Sequence, residues 1–197
     1  QPKEFLLRVR DITRQSGTAF IFDEVVTGFR IHPRGAQGYY GIDADMVTYG
    51  KVIGGGMPIG ILVGKAAFMD ALDGGQWEFG DASVPEAGVT FFAGTFVRHP
   101  LTMAALCATL EKIREAGSGL YERLNQSASR FAAQLNDVFT RHGVSLHLEG
   151  CGSVMYFGVP LDLRFGGLLF YLLREKGIYI LEGFPLYLTT EHSDADL

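Results

Sequence analysis

The sequence predicts an α/β fold: part of a mixed, mostly parallel sheet with helices on both faces, followed by a smaller α+β unit. Three observations predict it. Short apolar runs (AFIFDEV, DMVTYGKV, ILVG) alternate with amphipathic segments through the first half, as happens where helices cover a sheet. Past Ala116 the order changes to long helical stripes and short apolar runs, which suits a separate, smaller unit. The 197 residues are 47% hydrophobic and include 26 glycines, enough apolar side chain for a sizeable core interrupted by many tight turns.

Phe5, Leu6, Val9 and Ile12 recur at helical spacing as far as Gly17, where a glycine suits a helix stop. The helix feeds AFIFDEV, which reads as a buried parallel strand. A glycine- and aromatic-rich loop, TGFRIHPRGAQGYYG, leads to the strand DMVTYGKV, the turn GGGMPIG, the run ILVG and the helix KAAFMDAL. After a polar stretch from Asp73 to Gly88, VTFFAGT reads as a strand, and a helix runs from His99 to about Ala116 with Pro100 in its first turn. The segment AGSG at 116–119 reads as a linker, giving domains at 1–116 and 117–197. Leu120, Leu124, Phe131, Leu135, Val138 and Phe139 then mark one face of a helix ending at Gly143. VSLHLEG, SVMYFGVP and IYILEG read as strands, with the helix FGGLLFYLLREKG before the last. Ser193 and Asp196 have the spacing of a capping box, and the sequence opens without methionine, so it is expected to be a piece of a longer protein.

Several function classes drop out. The net charge is −5 and the 17 Lys and Arg are scattered, which argues against a nucleic-acid partner, since phosphate binding needs clustered cations. Cys107 and Cys151 lack any CxxC or Cys/His spacing, so neither a disulfide framework nor a zinc site is expected, and both read as buried thiols. No apolar run approaches the roughly 20 residues of a membrane span, and QPKEFLLRVR has no signal-peptide core. The expected location is the cytoplasm, with no membrane partner.

Two residues point to chemistry. Asp23 ends an apolar strand, where a carboxylate is costly unless a positive or hydrogen-bonding group meets it. Lys51 also follows a strand and precedes Val-Ile-Gly-Gly-Gly, whose glycines let backbone approach a ligand closely. Singly, each is commonplace; as a pair they meet the needs of pyridoxal 5'-phosphate (PLP). That cofactor takes a lysine to hold its aldehyde carbon as an imine and an anion to keep its ring nitrogen protonated. GKVIGGG is not the GxxxxGK[ST] of a nucleotide loop. Gly94-Thr95, shortly before the Pro100 helix, reads either as a phosphate contact or as a turn with a local threonine cap.

IFDEVVTGFR at 21–30, GAQGYYGIDADMVTYGKVIGGGMPIG at 35–60 and FFAGTFVRHPLTMAA at 91–105 resemble class III aminotransferases of PLP fold type I, in particular the glutamate-1-semialdehyde aminotransferase group. FFAGTFVRHP and GMPIGILVGK look closest to aminotransferase domains of hybrid polyketide and nonribosomal peptide synthetases of the microcystin-synthetase type. The resemblance implies that residues 1–116 are the C-terminal part of the PLP-binding large domain and 117–197 a truncated small domain. It implies that Asp23 pairs with the pyridinium nitrogen, Val25 packs on a ring face and Lys51 carries the cofactor. Gly94 and Thr95 would bind the cofactor phosphate of a neighbouring subunit in a homodimer with shared active sites. Arg30 and Gln37 would lie beside the site or at the interface, and Glu24 would be a buried support. The implied reaction moves an amino group from an amino-acid donor to a keto or aldehyde acceptor, here one carried on an acyl chain by a carrier-protein domain. The alternatives are a glutamate-1-semialdehyde 2,1-aminomutase and, in another class, a non-catalytic scaffold. The family's glycine/serine phosphate turn and its stacking aromatic precede the matching region, so this stretch alone is expected to be inactive.

Overall fold

The computed structural model describes residues 2–86, 88, 90–160 and 162–197. They form two compact units, Gln1–Glu115 and Ala116–Leu197.

The first unit opens with helix α1 (Pro2–Ser16). Leu6, Val9, Arg10 and Thr13 form its inward face, whereas Phe5 and Ile12 of the expected stripe point to solvent. The helix stops in a Schellman turn: Thr18 N–H reaches Thr13 O at 2.9 Å and Gly17 N–H reaches Arg14 O at 3.4 Å. Gly17 has φ 67°, a conformation a Cβ would disfavour. Strands β1 (Ile21–Asp23), β2 (Met46–Gly50) and β3 (Gly60–Gly64) form one mixed sheet in that order. β1 and β2 run parallel with Asp23 opposite Thr48, and β2 and β3 run antiparallel with Gly50 opposite Gly60. Expected as buried, β1 is instead largely exposed, since β2 is its only neighbour among the described strands. Between β1 and β2 lies the short helix α2 (Gly35–Tyr40), and after β3 come α3 (Ala66–Asp73) and α4 (Pro100–Ala116), the last with Pro100 at its first position. Phe20, Ile31, Ile42, Val47 and Ile53 are the buried apolar centre.

Asp45, just before β2, ties these elements together. Its carboxylate accepts hydrogen bonds from both terminal nitrogens of Arg10 on α1 (2.6 and 2.8 Å), from Phe20 N–H (2.9 Å) and from Lys65 Nζ (2.6 Å). Arg10 and Asp45 are both buried, and a buried ion pair is tolerable only when hydrogen bonds satisfy it in this way.

In the second unit, helix α5 (Gly119–Arg141) packs on β4 (His147–Cys151), which pairs antiparallel with β5 (Val154–Gly158). Ala128, Leu148, Met155 and Leu188 are its buried core, with Leu124, Phe131 and Leu135 of the expected stripe against it. Asn136 brackets the outer edge of β4: its Nδ2 donates to Leu148 O at 2.9 Å and its Oδ1 accepts from Leu148 N–H at 2.6 Å. An edge strand's unpaired backbone is thereby satisfied. Helix α6 (Leu168–Glu175) and the two-residue strand β6 (Leu186–Tyr187) complete the unit.

Some expectations need correcting. Of VTFFAGT, residues 90–95 form no strand and Phe91 and Phe92 are exposed; Val89 lies outside the described residues. IYILEG is not a strand either: Ile178, Tyr179 and Leu181 are exposed, and Leu186–Tyr187 pairs with β5 in its place. Short apolar runs of this kind have no period that separates a strand from a loop. Cys107 is exposed and Cys151 only partly buried, so the expected pair of buried thiols is wrong. Ser193 makes half of a capping box, its N–H and hydroxyl donating to Asp196 Oδ2 at 2.8 and 2.7 Å, but the segment is a turn. No helix among the described residues is long and apolar enough to cross a membrane.

Candidate cofactor site

The parallel pairing of β1 and β2 brings the carboxyl ends of two adjacent strands side by side, the edge of an α/β sheet where ligands gather. Asp23 is the last residue of β1. Its Oδ1 accepts two hydrogen bonds, from Val25 N–H at 3.0 Å and from the Thr48 hydroxyl at 3.1 Å. Oδ2 takes no hydrogen bond among the described residues, and the side chain is exposed. An anion with one oxygen fixed and the other open is suited to receive an N–H from a ligand.

Lys51 directly follows β2 and begins a 3₁₀ turn, Lys51–Gly54. Its φ of 48° is left-handed, a conformation uncommon for a residue with a Cβ and typical of positions where strain serves a site. The residue is exposed, and among the described residues its amine has neither an ion pair nor a hydrogen bond. Two glycines shape its surroundings. A Cβ on Gly50 would lie 3.3 Å from Val25 Cγ1 and 3.2 Å from Ile59 O, so the missing side chain lets Val25 close over the strand end. Gly55, at φ 58°, rests against α4, where a Cβ would come within 2.5 Å of the Thr109 hydroxyl.

Glu24 is fully buried, as a support residue should be. It accepts hydrogen bonds from Ala36 N–H and Gln37 N–H, each at 2.8 Å, and a short one from the Thr27 hydroxyl. Its carboxylate occupies the place a Cβ on Gly35 would need. Gln37 is buried too and donates from Nε2 to the Tyr49 hydroxyl at 3.2 Å. Burial pushes the Tyr49 phenol above its ordinary pKa, with the Gln37 hydrogen bond opposing. Glu24 and Gln37 thus brace the loop that leaves β1. Arg30 belongs to the same loop, its N–H donating to Thr27 O at 3.1 Å.

Gly94 and Thr95 lie apart from this pair in the chain's architecture. Both are exposed in the loop before α4, where Val97 N–H turns back to Gly94 O at 3.1 Å. They line an open cavity of about 840 Å³, walled by residues 58–62, Phe92, residues 94–98 and one side of α4, but not by Asp23 or Lys51. The Thr95 hydroxyl makes no hydrogen bond among the described residues, so it is not a local cap.

This donor set suits PLP: an open carboxylate oxygen for the ring nitrogen, an unpaired amine for the aldehyde carbon, and an uncommitted hydroxyl elsewhere for a phosphate. No cluster of metal-ligating side chains is present among the described residues. Sequence reasoning missed Thr48 and Asp45, because nothing in a single sequence sets which residues of two strands face each other.

The comparisons agree with this reading of the fold. The chain belongs to the class-III aminotransferases, whose family model matches residues 1–189. A glutamate-1-semialdehyde 2,1-aminomutase of Desulfotalea psychrophila is 37% identical over 98% of this chain and 45% of its own length. A β-phenylalanine aminotransferase of Variovorax paradoxus superposes with a TM-score of 0.81 at 31% identity, over 98% of this chain and 45% of that one. The FumI protein of Sphingopyxis sp. MTA144, solved in its PLP internal aldimine form, superposes with a TM-score of 0.80 at 26% identity, over 98% and 43% of the two chains. The family and the PLP-bound FumI structure indicate pyridoxal phosphate as the cofactor. The chain spans under half the length of the curated relatives it matches.

Proposed function

We propose that the full protein transfers an amino group from an amino-acid donor to a keto or aldehyde acceptor, with Asp23 and Lys51 at its chemical centre. The observation that carries this reading is the pairing of an open carboxylate oxygen and an unpaired amine at the carboxyl ends of adjacent parallel strands. When bound, pyridoxal phosphate supplies a carbon that takes up the amine and a ring that draws electrons from the substrate. Lys51 would hold that cofactor through its amine, and the same amine, when free, would move a proton at the substrate carbon. Asp23 keeps a proton on the ring nitrogen through Oδ2. Val25, closed over Gly50, limits the space above the ring.

Gly94 and Thr95 hold a phosphate in the neighbouring subunit of a homodimer. Their place in a cavity without Asp23 or Lys51 supports that division. For the acceptor, the resemblance of FFAGTFVRHP and GMPIGILVGK favours a keto group on a carrier-bound acyl chain.

The reading is tested by giving the full-length protein PLP, glutamate and a keto acceptor. Release of 2-oxoglutarate in step with amine transfer, absent in Lys51→Ala, is the expected result. No release from wild type with any acceptor counts against it. A second reading, amine migration within glutamate-1-semialdehyde, is favoured by the relatives at 34–37% identity that carry that name. It predicts turnover of that substrate without stoichiometric 2-oxoglutarate.

A further inference from the structure

We propose that Thr48 is a positioning residue for Asp23: its hydroxyl pins Oδ1 so that Oδ2 alone is presented to the cofactor's ring nitrogen. The inference rests on the role given to Asp23 above. Three observations support it. The parallel register sets Thr48 directly opposite Asp23. The Thr48 hydroxyl donates to the same oxygen, Oδ1, that the Val25 N–H occupies. The Asp23 carboxylate makes no other hydrogen bond among the described residues, so these two donors fix how it turns.

The chemistry follows from geometry. A carboxylate on an exposed strand end rotates freely about its terminal bond unless donors hold it. One donor leaves it free to swing either oxygen outward; two donors on one oxygen leave the other facing away from the strand. A hydrogen bond to an ionised acceptor is among the stronger ones, and it also stabilises the charged form that holds the ring proton. Thr48 does this through Asp23 and touches no reacting atom itself. A β-branched side chain is favourable in a strand, so Thr48→Val keeps shape and strand preference while deleting the donor.

The experiment uses the full-length protein with PLP labelled with ¹⁵N in the ring, and reads cofactor affinity by titration and ring-nitrogen protonation by NMR across pH. Thr48→Val should weaken PLP binding about tenfold, the loss of one hydrogen bond to a charged group, and should let the ring nitrogen lose its proton at lower pH. Thr48→Ser, which keeps the hydroxyl, should match wild type in both. If Thr48→Val does not fold, Thr48→Ala reads the same loss. Equal behaviour of Thr48→Val and wild type overturns the proposal, as does a loss in Thr48→Ser as large as that in Thr48→Val, because a variant that keeps the hydroxyl would then fare no better than one without it. Asp23→Asn separates the two levels: if it shifts the ring-nitrogen signal and Thr48→Val does not, positioning by Thr48 fails while the role of Asp23 stands. If Asp23→Asn leaves that signal unchanged, the role of Asp23 itself falls.

Discussion

Lys51 combines a left-handed backbone with an amine that nothing nearby engages, and both features bear on what can replace it. Arginine retains the charge, but a guanidinium stays protonated and forms no bond to an aldehyde carbon. Lys51→Arg should therefore lower turnover by more than about a thousandfold, at the upper end of what one acid–base group contributes, and should remove the visible absorbance of the bound cofactor. Turnover within tenfold of wild type would exclude Lys51 as the anchor. Asp23→Asn should leave the cofactor bound and slow proton removal from the substrate about a hundredfold, measured by loss of α-deuterium. Gly35 is a stability position: with φ 65° and the Glu24 carboxylate where a Cβ would sit, Gly35→Ala should destabilise by about 1–3 kcal/mol in urea unfolding. The positions of Asp23 and Lys51 at strand ends were legible in the sequence because each closes an apolar run. Thr48 was not, because its importance comes from the register of two strands 25 residues apart.

At the scale of elements, the ion-pair cluster around Asp45 gives the first unit a definite pH dependence. Arg10 holds the Asp45 carboxyl far below the usual carboxylate range, helped by Lys65 and the Phe20 N–H and opposed by burial. A carboxylate whose folded pKa is depressed contributes stability above its unfolded pKa and loses it as pH falls towards the folded value. Below the ordinary aspartate value of about 4, the first unit should weaken progressively. Asp45→Asn should cost about 2 kcal/mol at neutral pH, discounted because Lys65 is half-exposed and screened. The gap between variant and wild type should then close as pH drops from about 5 to about 2, read by thermal unfolding; a gap that does not change with pH would refute the assignment. No rule of spacing pointed to Arg10, which shares the inward face of α1 with Leu6 and Val9. Helices with caps or long stripes, such as α1, α4 and α5, were legible in outline because 3.6-residue periodicity and stop residues are local signals. VTFFA and IYILEG were misread because a run of apolar residues says that something covers it, not which backbone geometry it takes.

For the whole molecule, the decisive question is whether one active site draws on two chains. Asp23 ends β1 and Lys51 directly follows β2, while Gly94 and Thr95 line a cavity that includes neither, so a phosphate at Thr95 and a ring at Asp23 are most simply reconciled if they belong to different subunits' cofactors. Closed two-fold symmetry then gives each dimer two composite sites. Thr95→Glu, which sets a negative charge against the phosphate, and Lys51→Ala should each abolish transfer in the pure variant. Unfolded and refolded together in equal amounts, they form heterodimers in which one site carries both lesions and the other carries neither. Random pairing makes half the dimers mixed with one good site in two, so activity should return to about a quarter of wild type. If each site were built from a single chain, every site in the mixture would still carry a lesion and the activity would remain at the level of the separate variants. Size-exclusion chromatography of the mixture, with one variant tagged, verifies that mixed dimers formed before that comparison is made.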